Sequence, residues 1–274
     1  MKIVSKGFLG SVTIVIALAS YAAAEGLPDI LGIQLGMPAR DAHAKLQAQI
    51  PKNKMQVMST NLPTIDKPVI TSFSSAPAEQ LAVGMEGDLV KVDVTLPPNK
   101  QAVWRVERQY FFPNKGIPRK ALLASFREKY GKETRALDSH GKATQDENQI
   151  TILLWLMDEQ GHPGTPPPLS SSAVDPLWTC RPAGEGNGAL LVESPTPNYG
   201  NKDLAWYLAS YTAVTAEMSS NVLPELYDKM RTLVVSLPFA ARAGEATMKW
   251  KQDIAEGQHK QDLEKAKQQD KPKL

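Results

Sequence analysis

Gly36-Met37-Pro38-Ala39-Arg40-Asp41-Ala42-His43-Ala44-Lys45-Leu46 and Gly116-Ile117-Pro118-Arg119-Lys120-Ala121-Leu122-Leu123-Ala124-Ser125-Phe126 carry one pattern twice, 80 residues apart. In each, an apolar residue and a proline follow the glycine. A basic residue stands four positions after the glycine, an alanine eight and an apolar residue ten after it. The glycine frees the backbone to turn, and proline suits the first helical position, where its missing N–H costs no bond. Each copy is expected to open a helix, with Leu46 and Phe126 at the same phase and so in matching core sites.

Strand-like runs follow both openings. After the first come Leu81 to Met85, then Leu89 to Leu96 with Val90, Val92, Val94 and Leu96 on one face. Val103 to Phe112 follows, with Trp104, Val106, Arg108, Tyr110 and Phe112 sharing a face. Glu86-Gly87-Asp88 reads as a hairpin turn between the first two. After the second opening come Ile150 to Met157, Ala189 to Glu193 and Tyr207 to Met218, all rich in the β-branched and aromatic residues of half-buried antiparallel strands. The expected fold class is α+β: two tandem helix-plus-antiparallel-sheet units with a C-terminal helix. The boundaries are a first unit at 25–113, a second at 114–222, and C-terminal helices with a charged tail at 223–274.

Leu31-Gly32-Ile33-Gln34-Leu35-Gly36-Met37 with the helix after it resembles the opening of small bacterial envelope domains of the BamE type, where a glycine-methionine pair starts a helix leading to a three-stranded antiparallel sheet. The second copy also has Lys129-Tyr130-Gly131-Lys132 where that family has a helix-terminating glycine. The first copy departs from the pattern, ending in Gln49-Ile50-Pro51, and no lipobox cysteine is present. Two such units in tandem are similar to the architecture of β-lactamase-inhibitory protein. The resemblance implies an envelope protein that works by binding, and it transfers no functional residue.

The N-terminus points to the same compartment. Lys2 and Lys6, the apolar run Phe8 to Ala19 and the small residues Ala22-Ala23-Ala24 form the three regions of a secretory signal peptide, expected at 1–24 with cleavage before Glu25. The alternative is an uncleaved anchor, which alone would bring the protein to a membrane. Cleavage removes two lysines and no acid, which leaves 29 basic residues of the original 31 against 29 acidic ones, a formally neutral chain. Nucleic acid is therefore not an expected partner. Cys180 is the one cysteine, so no internal disulfide forms and a packed core must hold about 250 residues together. Cys180 reads as a buried small hydrophobe, with a nucleophile or an intermolecular disulfide as the alternatives.

Two further segments remain. From Glu159 to Pro182 the chain carries five prolines before its final one, together with a serine triplet, and reads as a long loop. Beyond it, a helix is expected from Leu223 to Val235. Phe239, Ala243, Ala246, Trp250 and Ile254 then form an apolar stripe at helical spacing. After Gly257 the chain is mostly Lys, Gln, Glu and Asp, a solvated helix face whose last ten or so residues are expected to fray.

Chemistry-bearing motifs are sparse. The four histidines, His43 on the first helix surface, His140 in an Asp-Ser-His-Gly turn, His162 on the loop and His259 in the tail, lack a second ligand at zinc spacing. There is no nucleophile elbow, phosphate-cradling loop or dinucleotide fingerprint, so no catalytic, cofactor-binding or metal residue is assigned and no cofactor is expected. The candidate binding residues are His162, Trp178 and Arg181. Trp178-Thr179-Cys180-Arg181 reads either as a strand feeding the core or as a recognition patch, since Trp and Arg are enriched in binding hot spots. The reading of function is an exported, periplasmic, non-catalytic protein that binds an envelope protein or another envelope component. The alternative is an exported cofactor-independent hydrolase whose site would need His162 or Cys180 in a concave pocket beside a carboxylate.

Overall fold

The structure is a computed structural model that describes residues 27–62, 64–76, 87–113, 116–165, 211–220 and 223–268. It is a mixed α/β fold with one large antiparallel sheet and, among the described residues, three helices. In chain order a short ribbon, β1 (Asp29–Ile30) and β2 (Ile33–Gln34), leads to α1 (Ala39–Gln49). Strands β3 (Lys54–Thr60), β4 (Val69–Ala76), β5 (Gly87–Val94) and β6 (Val103–Phe111) follow, then β7 (Ile117–Pro118) and α2 (Arg119–Tyr130). The chain continues through β8 (Arg135–Leu137), β9 (Ile152–Met157), β10 (Thr212–Ser219), β11 (Leu226–Tyr227), β12 (Lys229–Ser236) and α3 (Leu237–Gln268).

Eight of these strands form the sheet in the order β3-β4-β5-β6-β12-β10-β9-β8. Phe73, Val92, Val106, Val234, Val214 and Trp155 are successive register partners across it and so share one face. All six are buried, in one cluster with Ala42 and Leu46 of α1 and with Leu122, Leu123 and Phe126 of α2. His43 meets Phe73 edge-on, with ring centroids 5.4 Å apart, and Phe126 and Tyr130 both pack on Trp155. His43 is thus half-buried against the sheet rather than a plain surface residue.

Both glycine-proline segments open helices, and both prolines sit one residue earlier than expected, at the cap with φ near −57° and extended ψ. The helix ends differ as the residues dictate. Gly131 takes φ +77° and its N–H closes on the Arg127 carbonyl at 2.9 Å, while α1 stops at Ile50 with an ordinary negative φ.

The opposite face of the sheet holds a second core, in which Trp104, Leu154, Leu156, Ala213, Leu233 and Val235 meet Leu237 and Ala240 of α3. Trp104 was expected beside Val106. A register shift between Asp93 and Val94 inserts an extra residue in β6 and sends Trp104 to the other face, leaving Val103 with Val106 in the first core. Of the apolar stripe on α3, Ala243 is buried and Phe239, Ala246, Trp250 and Ile254 are half-buried.

Several expectations are corrected. Leu223 to Val235 is not a helix: Lys229–Ser236 pairs with β6 on one side and β10 on the other. Leu223, Leu226, Met230 and Leu233 recur at helical spacing, but a central strand gains two ladders of backbone bonds, and tertiary pairing overrides the local pattern. Gly87 and Asp88 are not a turn, because they pair with Phe111 and Tyr110 in β5. Strands β3 and β4 were not anticipated. The former is an edge strand with Val57 and Met58 exposed, and the latter is serine-rich, so neither shows a clean apolar alternation. Of the last ten or so residues, expected to fray, 265–268 are helical, and 269–274 lie outside the described residues. The expected strands at Leu81 to Met85 and Ala189 to Glu193, and the segment 1–24, lie outside the described residues. Among the described residues no helix is long and apolar enough to cross a membrane.

Candidate functional site

The polar members of β6 define the site. With Val106 and Arg108 on the α1/α2 face, alternation puts Arg105, Glu107 and Gln109 on the other. Arg105 is 3% exposed and donates from Nη1 to Asp93 Oδ2 at 2.6 Å and from Nη2 to Glu107 Oε2. Glu107 also accepts from Arg231 Nε at 2.7 Å and Gln109 Nε2 at 3.2 Å. This buried ion-pair chain crosses β5, β6 and β12. Burial pushes the Glu107 carboxyl up, but the bonds from Arg231 and the charge of Arg105 outweigh it, and its pKa lies below the ordinary glutamate value.

The chain runs into an open cleft of about 530 Å³ at one end of the sheet. Gln109, Glu217, Lys229 and Arg231 line it from β6, β10 and β12, and Arg119 and Thr151 line it from the start of α2 and the approach to β9. Arg231 lies opposite Glu217 in register. Arg119 is held by a 2.7 Å bond to the Asn148 carbonyl and stacks 4.5 Å from the Tyr227 ring centroid. Lys229 Nζ sits 5.0 Å from the Phe111 ring centroid. Three cations therefore face one carboxylate.

No family model matches the chain, and neither a curated protein nor a solved structure does. The site has to be read from its own geometry.

Of the sequence-derived candidates, His162 lies in the turn after β9, where Asp158 Oδ1 accepts from the backbone N–H groups of Gln160 and His162. Its Nδ1 is 2.9 Å from Asp158 Oδ2, but the side chain is 75% exposed and lines no part of the cleft. A carboxylate is within reach of this histidine. Asp138 organises the turn at His140 in the same way, by accepting from the N–H groups of His140 and Lys142. Trp178, Arg181 and Cys180 lie outside the described residues. Among the described residues no group of three His, Cys, Asp or Glu side chains is placed to hold a metal ion.

Sequence reasoning missed the cleft. One signal was available: Arg105-x-Glu107-x-Gln109 is an unbroken polar alternation inside a strand flanked by Trp104 and Phe111. A strand that is polar on the face opposite its valines has either a wet face or a charge network there.

Proposed function

We propose that the chain is an exported protein of the bacterial envelope, directed to the periplasm by segment 1–24, built of two tandem α+β units and working by binding rather than catalysis. Support for the tandem reading comes from equivalent helix starts. Gly36 and Gly116 both have positive φ, +80° and +117°. Pro38 bridges Ala102 and Pro118 pairs with Leu226, while the N–H of Ala39 donates to Gln101 and that of Arg119 to Glu225, at 2.8 and 3.1 Å. Outward from β6 and β12 the sheet reads β5, β4, β3 on one side and β10, β9, β8 on the other.

The binding reading is carried by the cation-lined cleft at the end of the sheet beside the start of α2, fixed from beneath by the buried Arg105–Glu107 chain. A preorganised, charged, open surface recognises a partner at little ordering cost. Cross-linking in intact cells followed by purification from the envelope fraction tests this reading. A reproducible partner lost on reversing the cleft charge supports it. Recovery of no partner, together with hydrolysis of model esters or peptides by the purified protein, overturns it.

A further inference from the structure

We infer that the cleft between the start of α2 and the ends of β6, β10 and β12 binds an acidic peptide segment, taking its carboxylates on Arg119 and Lys229. The inference deepens the binding reading above and rests on it. Arg119 and Lys229 are cations held in place by neutral groups, the Asn148 carbonyl and Tyr227 ring for one and the Phe111 ring for the other. Among the described residues neither has a carboxylate within ion-pair distance, unlike Arg108, which has one, and Arg105 and Arg127, which have two each. Among the described residues, then, their positive charge is held in position with no carboxylate beside it.

Two polar atoms of the wall are buried beneath its surface. Among the described residues Arg119 Nε has no acceptor and Thr151 Oγ1 has no partner. A carboxylate matches the guanidinium fork, and arginine is the usual choice for it.

Peptide fits better than phosphate. Glu217 puts one negative charge into the cleft, and Gln109 and Ser219 add groups that both donate and accept. A peptide backbone offers donors and acceptors in alternation, so it can use such a wall. A phosphate offers mainly acceptors and carries more charge against Glu217. The volume of about 530 Å³ is within the span of ligand clefts, about 300–1,000 Å³.

The test is fluorescence polarisation on the full chain with a labelled hexapeptide of alternating Asp and Ala, the matched Asn peptide, and inorganic phosphate as competitor. The acidic peptide is expected to bind at least about tenfold more tightly than the Asn peptide, and more weakly as salt rises. Lys229→Glu should weaken binding at least about tenfold and Lys229→Gln by less, with the circular dichroism spectrum and melting temperature of each checked against wild type. Glu217→Gln should strengthen it. Equal binding of the two peptides, no binding of either, insensitivity to both Lys229 variants, or displacement by phosphate at concentrations near those of the peptide would overturn the assignment. Envelope cross-linking separates this failure from that of the wider reading: a partner captured equally by wild type and Lys229→Glu removes the cleft and leaves the binding function standing.

Discussion

Glu107 shows how one residue ties the interior of the sheet to the cleft. Its carboxylate holds Arg105 on one oxygen and Arg231 on the other. Glu107→Gln removes the carboxylate that two arginines share while Arg105 keeps Asp93, so it should cost about 1–3 kcal/mol, read as a shift in urea midpoint. The pH dependence has a definite sign. Because the folded pKa lies below the ordinary value of 4.5, the stabilisation is fully present above that pH and is lost as pH falls through the folded value. Wild type should therefore lose stability below about pH 4.5, and Glu107→Gln should show a shallower acid limb, measured by denaturant titration from pH 7 to 3. The two echoed glycines make a second residue-scale prediction. A Cβ at Gly36 meets nothing within 4 Å, whereas one at Gly116 would lie 2.4 Å from the Tyr227 carbonyl oxygen. Gly36→Ala should cost about 1 kcal/mol from φ alone, and Gly116→Ala at least about 3 kcal/mol from φ and overlap together, compared by thermal melts.

Among elements, α1 and α2 lie on the same face of the sheet and put Leu46 and Phe126 into one core, at 0% and 7% exposure. Phe126→Ala should cost about 3–5 kcal/mol and Leu46→Ala about 2–5 kcal/mol; a loss below about 1 kcal/mol at either would place it outside the core. Helix α3 divides into two parts. Its first half packs on the second core, with Thr247 Oγ1 and Asn99 Nδ2 both bonded to the Ala243 carbonyl. From Gln258 to Lys267 every residue is exposed. Ending the chain after Gly257 should change the melting temperature little, whereas ending it before Ala243 should expose Trp104 and its neighbours and bring on dye binding and aggregation.

For the whole molecule, the decisive contact is the pairing of β6 with β12, seven residue pairs from Lys229–Phe111 to Val235–Arg105. It joins strands more than a hundred residues apart into one sheet with continuous cores on both faces. Equilibrium unfolding in urea should therefore be a single transition, with far-ultraviolet dichroism and tryptophan fluorescence coincident; separated midpoints would mean the two sides of β6–β12 unfold independently. The amides of Val106 and Val234 should be among the last to exchange with solvent.

The chain by itself fixed its helix starts, because glycine with positive φ and proline with fixed φ act within a few residues and need no partner. It likewise fixed the alternating valines of β5 and the terminating Gly131. The placement of β12 in the centre of the sheet, the bulge that turns Trp104 to the opposite face, and the meeting of Arg119, Lys229 and Arg231 around one cleft were decided only by tertiary structure. Each depends on pairing between segments far apart in the chain, where the local residue pattern of Leu223 to Val235 favours a helix and only the ladders to β6 and β10 tip the balance toward strand.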